Sequence, residues 1–306
     1  MGTTSILTLS GIRSDIRAIE EAAALFEEAN FSGRAEAMDL IDFHIIDRID
    51  GLLATGEPEG ELEFLKRRAE KVKRELERID GDLFARLREG IRTGLYKGPS
   101  FREMVRGYTG YAIEDVSGVE NEIGYDDLDV FINGLLFDRG IPEAALQREP
   151  EMVFYQKTPA RIVFEMAALA GLGPGDVFFD IGSGLGQVVF LVSLISGVPA
   201  RGIEYEPAYC AYAEAIAARL RLSDVTFINA DALNGDYSRG TVFFLYTPFE
   251  GRLLQDMLEL LETESRKRAI RVFTYGPCSL QVVRQGWLTC TNGAGDNMYK
   301  IYAFKS

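Results

Sequence analysis

The sequence is poor in the residues that build metal and redox sites. Its 306 residues include one histidine, His44, and three cysteines, Cys210, Cys278 and Cys290. Structural metal sites use Cys or His pairs at short spacing, and the sequence offers no such pair. We therefore predict no metal and no catalytic histidine in the second half of the chain. An odd number of widely spaced cysteines is typical of reduced thiols in a cytoplasmic protein.

Long apolar runs are also missing. The longest, residues 188–195, is far shorter than the roughly 20 residues that cross a bilayer. The first residues lack the charged start and apolar core of a secretory signal. The sequence thus predicts a cytoplasmic location and no membrane partner.

Positive charge is scarce. The chain has 33 basic and 47 acidic residues and a net charge of −14, and residues 1–150 hold 19 of the basic and 31 of the acidic ones. A nucleic-acid backbone is bound by a positive surface, so this balance argues against a nucleic-acid partner. The excess of acid favours a cationic partner by charge steering.

The pattern of the chain changes near residue 150. Before it, apolar residues recur at helical spacing, as with Ile41, Ile45 and Ile49, and Pro142 suits the first turn of a further helix. We predict an all-helical N-terminal domain over residues 1–150, which covers a ligand or selects an acceptor, and a second domain over residues 151–306.

After residue 150, strand-like and helical segments alternate. This rhythm predicts an α/β fold, in which a parallel sheet is covered by helices on both faces. The chain ends on two strand-like runs joined by a Gly/Asn/Asp turn, which predicts a terminal antiparallel hairpin. The strand-like runs are residues 177–181, 200–204, 225–229, 242–246 and 270–274. The helical stretches between them are residues 187–196, 207–220 and 252–263.

A glycine-rich loop follows the first of these strands. Asp180 precedes Gly182, Gly184 and Gly186 at every second position. Such glycines allow a tight turn and let a ligand approach the backbone closely. The dinucleotide fingerprint needs a third glycine where this chain has Gln187. Asp180 would also repel a pyrophosphate, and it suits a ligand that carries positive charge.

Two further acids end the second and third strands. Glu204 is placed to accept hydrogen bonds from ribose hydroxyls, and Asp231 is placed to accept one from an exocyclic amine. Glu206 is a second acid at the same place, and we favour Glu204 because it ends the strand. Together with Asp180, these acids could hold an ammonium, a ribose and an adenine amine.

The glycine loop and the three acids resemble the class I S-adenosylmethionine (SAM) dependent methyltransferases, over residues 151–306. The resemblance implies a seven-stranded Rossmann-like sheet, SAM as the cofactor and methyl transfer as the activity. A nicotinamide-binding or unrelated α/β domain is the alternative. The implied cofactor-binding residues are Asp180, Gly182, Ser183, Gly184, Gly186, Gln187, Glu204, Tyr205, Asp231 and Ala232.

The loop "DIGSGLGQVV" is most similar to that of the non-SET histone-lysine methyltransferases, of the disruptor-of-telomeric-silencing type, including Ser183 and Gln187. That family also has a cofactor-binding Tyr-x-x-Thr element, which Tyr155 and Thr158 match. Alternatively, Thr158 merely caps a helix that begins at Pro159. The chain lacks an obvious basic nucleosome-binding tail, so the resemblance does not imply histone modification.

The acceptor is expected beyond the fourth strand, at Tyr246-Thr247-Pro248-Phe249. Amino-methylating relatives often carry Asp or Asn first, and its absence puts nucleobase methylation in doubt. Tyr246 and Thr247 are the candidate catalytic residues, which would align the acceptor, although this strand end could equally be core. Because Thr247 precedes a proline, we expect extended backbone there.

The sequence leaves the acceptor unidentified, as either a cationic protein side chain or a small molecule. It also leaves a second class of function open. The glycine loop and the acids argue for binding alone, so a non-catalytic SAM-binding sensor or scaffold is the alternative to an enzyme.

Overall fold

The computed structural model describes residues 3–56, 59–112, 126–137, 140–147 and 150–306. Its contacts divide the chain into two compact units, Met1–Leu87 with Gly107–Gly110, and Arg88–Arg106 with Tyr111–Ser306. The division falls earlier than residue 150, and residues 126–137 and 140–147 belong to the second, sheet-containing unit. The roles predicted for residues 1–150 and 151–306 concern function, and they stay predictions.

The first unit is helical. Its apolar stripe of Ile41, Ile45 and Ile49 is buried, as the spacing predicts. Arg34 and Asp80 form an ion pair that is almost completely buried. The helices are α1 (Thr3–Glu21), α2 (Phe31–Asp39), α3 (Asp47–Ala54) and α4 (Glu59–Arg92), with a 3₁₀ turn at Ala23–Phe26 and a π-helical stretch at Leu40–Ile46 between α2 and α3.

The remaining helices are α5 (Pro99–Thr109), α6 (Asp127–Leu136), α7 (Ala160–Ala170), α8 (Gln187–Ser196), α9 (Pro207–Leu220), α10 (Gly251–Ser265) and α11 (Ser279–Val282). The strands are β1 (Phe178–Ile181), β2 (Ala200–Glu204), β3 (Val225–Asn229), β4 (Val242–Tyr246), β5 (Arg271–Tyr275), β6 (Thr289–Cys290) and β7 (Tyr302–Lys305). Among the described helices, none combines the length and the apolar character needed to cross a membrane.

The seven strands form one sheet in the order β3-β2-β1-β4-β5-β7-β6. The first five are parallel, β7 runs antiparallel to β5, and β6 pairs antiparallel with β7. The predicted Rossmann-like sheet with its terminal antiparallel pair is confirmed. Strand order reverses between β1 and β4, and ligands of such sheets bind at this point, beyond the carboxyl ends of the strands.

Residues 140–147 differ from the sequence prediction. Pro142 indicated the first turn of a helix, but the segment has no regular secondary structure and is largely exposed. The proline fixes only its own φ, and the segment lacks the apolar periodicity that would bury a helix face.

Candidate cofactor and acceptor site

The glycine loop leaves β1 in a conformation that side chains disfavour. Gly182 and Gly184 have φ of +77° and +51°. A Cβ at Gly182 would lie 2.6 Å from Cβ of Pro248, and one at Gly184 would overlap the ring of Tyr155. These glycines are therefore required both for the turn and for the close approach of the loop to its neighbours.

Gly186 has a structural role at the start of α8. It is the N-cap of α8 with φ of +83°, and a Cβ there would lie 2.5 Å from the ring of Phe227. It does not line the cavity described next. Its absent side chain thus serves helix packing in this structure.

A cavity of about 440 Å³ lies at the carboxyl ends of the parallel strands. This volume is within the range of small-molecule sites. The cavity brings together every other residue that the sequence singled out, namely Tyr155, Thr158, Asp180, Gly182, Ser183, Gly184, Gln187, Glu204, Tyr205, Asp231, Ala232, Tyr246 and Thr247.

Two buried carboxylates dominate the electrostatics of the cavity. Burial, with the nearby charge of Glu204, raises the pKa of Asp180 to about 8. Burial also raises the pKa of Glu204, although its carboxylate accepts hydrogen bonds from the backbone N–H of Gly184 at 2.7 Å and of Glu206 at 2.8 Å. Two desolvated carboxylates close together favour a ligand with positive charge and hydrogen-bond donors.

Two buried side-chain oxygens of the glycine loop and the start of α8 lack a hydrogen-bond partner. Within the described residues, these are Ser183 Oγ and Gln187 Oε1. Gln187 Nε2 is occupied, since it donates to the carbonyl of Thr158 at 2.8 Å. Buried polar atoms are almost always paired, so these two oxygens point to a ligand. The Gln187 oxygen can only accept a hydrogen bond, and the Ser183 hydroxyl can accept or donate one, so both suit the hydroxyl and amine groups of SAM.

The Tyr-x-x-Thr element borders the same cavity. The ring of Tyr155 covers Gly184, and its centroid lies 5.5 Å from that of Tyr209. Thr158 is buried, and α7 begins at Ala160. Thr158 therefore lies where the resemblance predicts, in the cavity wall.

The interpretation of Thr158 as a helix cap is wrong. The backbone N–H of Ala160 instead donates to Oδ1 of Asp129 in α6, at 2.8 Å. Burial raises the pKa of Asp129 to about 6. A cap supplied from an earlier helix leaves no local pattern, so sequence reasoning could not find it.

The ends of β2 and β3 carry the remaining predicted cofactor residues. Asp231 is half-buried and caps a short 3₁₀ turn by accepting from the N–H of Leu233 at 2.9 Å. Asn229 Nδ2 donates to the carbonyls of Glu204 and Tyr205 at 2.9 and 3.0 Å. These bonds fix the two strand ends beside each other.

Tyr246 is half-buried in the cavity wall at the end of β4. Its ring centroid lies 5.0 Å from that of Tyr275. The residue is therefore accessible from the cavity, and its ring is fixed by packing against Tyr275, which fits a side chain that orients a ligand.

Thr247 departs from the predicted extended backbone. Its φ is +40°, a strained value for a β-branched residue. Its hydroxyl donates to the carbonyl of Tyr275 at 3.3 Å and accepts from the N–H of Cys278 at 3.2 Å. These bonds to the turn after β5 outweigh the local preference before a proline, and they occupy the hydroxyl.

Sequence reasoning missed several cavity residues. Ala144, Leu146 and Gln147 line it from the irregular segment, and Tyr209 lines it from the start of α9. Glu206, which the sequence offered as the alternative to Glu204, lines the cavity as well. Among the described residues, no group of His, Cys, Asp and Glu is arranged to hold a metal ion.

Residues 150–240 match the family described as "Histone methylation protein DOT1". The predicted resemblance to class I methyltransferases is confirmed. With the strand order and the position of the cavity, this match supports a SAM-dependent methyltransferase, and SAM is the cofactor of that class. The match covers the segment from before Tyr155 to the start of β4, which includes the glycine loop, Glu204 and Asp231. No curated protein matches the chain by sequence.

Solved structures show partial likeness. An RNA methyltransferase from Salinibacter ruber in complex with S-adenosyl-L-homocysteine is 24% identical over 49% of this chain and 92% of its own, with a TM-score of 0.40. A SAM-dependent methyltransferase from Geobacter sulfurreducens, with the same ligand, is 25% identical over 38% of this chain and 48% of its own, with a TM-score of 0.33. A precorrin-6y C5,15-methyltransferase from Geobacter metallireducens is 17% identical over 50% and 92%, with a TM-score of 0.37.

Proposed function

We propose that the protein transfers a methyl group from the sulfonium of SAM to the nitrogen of an amine-bearing acceptor that is cationic in solution, either a protein side chain or a small molecule. The amine loses its proton to solvent before the transfer, because only the neutral nitrogen has a free lone pair, and S-adenosyl-L-homocysteine is the leaving group. The observation that carries the proposal is the cavity in which the acids of three successive strand ends, Asp180, Glu204 and Asp231, meet two unpaired buried oxygens. A set of acceptors fits a ligand rich in donors and positive charge.

Each acid has a role in this proposal. Asp180 pairs with the ammonium of the ligand, Glu204 accepts the ribose hydroxyls, and Asp231 accepts the adenine amine. Tyr155 covers the glycine loop and excludes water from it. When bound, SAM supplies an activated methyl group, so the protein mainly has to align the acceptor and keep the cavity dry.

Tyr246 is the residue that we propose to align the acceptor. Its ring packs against Tyr275 and the residue lines the cavity, so a bound acceptor could stack on the ring or form a hydrogen bond with its hydroxyl. Thr247 supports this position indirectly, because its hydroxyl bonds to the turn after β5. We propose that Thr247 shapes the loop, while Tyr246 contacts the acceptor.

The charge of the chain supports a cationic acceptor and argues against a nucleic acid. Residues 1–150 hold most of the acidic excess, which would attract such an acceptor. We retain for this region the predicted role in covering the cofactor or selecting the acceptor. The three described cysteines are free, and a cytoplasmic location is part of the proposal.

Calorimetry with S-adenosyl-L-homocysteine tests the cofactor assignment. Glu204→Ala should weaken binding by about 1–3 kcal/mol, because the ribose hydroxyls lose a charged acceptor. Glu259→Ala is the matched control, since Glu259 is exposed on α10 and outside the cavity. Equal affinities of parent and Glu204→Ala protein would reject the assignment, and tight binding of a nicotinamide dinucleotide would reject the cofactor class.

A sensor or scaffold without turnover is the second candidate function. It is favoured because position 246 holds tyrosine instead of the Asp or Asn of amino-methylating relatives. It is also favoured because the hydroxyl of Thr247 already bonds to Tyr275 and Cys278. Transfer of label from methyl-labelled SAM into a lysate of cells that lack the protein separates the two functions. Tyr246→Phe should reduce this transfer while leaving the affinity for S-adenosyl-L-homocysteine unchanged. If the variant transfers label at the parent rate, the hydroxyl of Tyr246 does not align the acceptor and the ring serves only in packing.

A further inference from the structure

Segment 140–147 forms part of the cavity wall without belonging to a helix or strand. Ala144, Leu146 and Gln147 line the cavity, while most of the segment is exposed. A backbone with little burial and no regular hydrogen bonding has few contacts that hold it in place. Its position against the cavity therefore depends on individual hydrogen bonds to its neighbours.

One such bond is made to Glu206. The backbone N–H of Leu146 donates to Oε2 of Glu206 at 2.9 Å, and the N–H of Ala208 donates to Oε1 at 2.9 Å. The same carboxylate therefore caps α9 and holds the irregular segment. Glu206 is only 6% exposed, while Leu146 is itself exposed, so the two bonds are partly shielded from water.

The contact continues to the glycine loop. The backbone N–H of Glu206 donates to Oε1 of Glu204 at 2.8 Å, and Oε2 of Glu204 accepts from the N–H of Gly184 at 2.7 Å. A chain of hydrogen bonds thus runs from Leu146 through two carboxylates to the glycine loop. The wall segment and the loop are joined through the residue that we assign to the ribose.

We infer that Glu206 is a positioning residue, which holds segment 140–147 against the cofactor cavity and so slows the release of the bound nucleoside. This rests on the proposed function, because it takes the cavity to be a SAM site. A charged acceptor suits this task, since charge-assisted hydrogen bonds are about twice as strong as neutral ones. Burial acts to raise the pKa of Glu206, but the backbone N–H groups of Ala145, Ala208 and Leu146 together lower it.

Two variants weaken the contact between Glu206 and the segment from opposite sides. Glu206→Gln replaces one accepting oxygen by a donor, whereas Leu146→Pro removes one donating N–H of the segment and leaves Glu206 as the cap of α9. Leu146→Ala controls for the lost side chain because it keeps the N–H. Asp236→Asn controls for the loss of a carboxylate, since Asp236 is exposed, lies outside the cavity and also accepts a backbone N–H two residues on.

The first measurement is the dissociation rate of S-adenosyl-L-homocysteine by stopped flow. Glu206→Gln and Leu146→Pro should each raise the rate roughly five- to tenfold, and Leu146→Pro should exceed Leu146→Ala. The double variant of Glu206→Gln and Leu146→Pro should release the ligand no faster than the faster single variant, because both substitutions act on the same contact. Asp236→Asn should match the parent.

Amide exchange of residues 144–147 in the ligand-free protein is the second measurement. Exchange should increase in Glu206→Gln and Leu146→Pro, and it should stay at the parent level in Leu146→Ala and Asp236→Asn. Leu146→Pro behaving as Leu146→Ala in both measurements would overturn the inference, since the cap of α9 alone would then account for Glu206. A parent protein that does not bind S-adenosyl-L-homocysteine would instead overturn the proposed function, and amide exchange would still report the contact.

Discussion

Replacing Asp180 by asparagine should stabilise the ligand-free protein while abolishing its affinity for S-adenosyl-L-homocysteine. The carboxyl is buried at the end of β1, and burial raises its pKa from 3.8 to about 8. Because the pKa of Asp180 is higher in the folded than in the unfolded state, its contribution to folding stability is fully present below pH 3.8. That contribution is lost progressively as the pH rises to about 8. Asparagine carries no charge at any of these pH values and therefore avoids this loss.

The size of the effect follows from the pKa shift. A difference of about 4 pKa units at 1.36 kcal/mol each sets a ceiling near 5–6 kcal/mol at pH 8. The buried amide has its own desolvation cost of roughly 1–3 kcal/mol. We therefore expect a net gain of about 2–5 kcal/mol at pH 8, which decreases towards pH 5. Each kcal/mol corresponds to roughly 2–4 °C in the melting temperature of a domain of this size.

Thermal unfolding from pH 5 to pH 8.5, with and without S-adenosyl-L-homocysteine, measures both effects. The ligand should raise the melting temperature of the parent and leave that of Asp180→Asn unchanged. A stability difference between variant and parent that does not grow with pH would refute the reasoning.

Asp176, just before the same strand, is the control of opposite sign. Burial acts to raise its pKa, but bonds from Gly173, Arg271 and Thr241 lower it overall. Its contribution to stability is therefore present above the unfolded pKa and is lost as the pH falls through the folded one. Asp176→Asn should destabilise the protein at neutral pH, by roughly 1–3 kcal/mol, and should leave ligand binding intact.

Two further substitutions test the loop and the helical unit. Gly184→Ala should abolish ligand binding, because the new methyl group overlaps the ring of Tyr155 at a left-handed φ, whereas Gly173→Ala, which meets open space, should bind as the parent does by calorimetry. Arg34→Met should destabilise the protein by about 3–5 kcal/mol in urea unfolding, because it leaves the buried carboxylate of Asp80 without its cation. An unchanged urea midpoint would show that the pair adds nothing to stability.

Local patterns were sufficient for the sheet and for most of the cavity. The predicted helices at residues 187–196 and 207–220 match α8 and α9, because the residues that begin and end each helix directly flank its own apolar segment. Asp180, Glu204 and Asp231 were found because each ends a strand, and parallel strand ends meet at one edge. Periodicity and strand position are properties of short segments, and a single sequence contains them.

Contacts between distant segments left no such pattern. The cap of α7 comes from Asp129, and the wall formed by segment 140–147 depends on Glu206. Thr247 adopts a backbone that its local sequence disfavours, because bonds to the turn after β5 hold it. In each case a hydrogen bond between distant segments outweighs a local conformational preference, and only the local preference can be predicted from the sequence.

The chemistry of the cavity decides between ligands of similar size. Its walls supply mainly acceptors: the carboxyl groups of Asp180 and Glu204, whose pKa values are raised because burial disfavours their charge, and the unpaired amide oxygen of Gln187. A pyrophosphate would bring only acceptors and negative charge, so it would leave the Gln187 oxygen unpaired and would be repelled by the carboxylates. An ammonium, ribose hydroxyls and an exocyclic amine bring donors and positive charge, so SAM offsets the same costs. The unfavourable features of the ligand-free cavity are therefore the features that select its ligand.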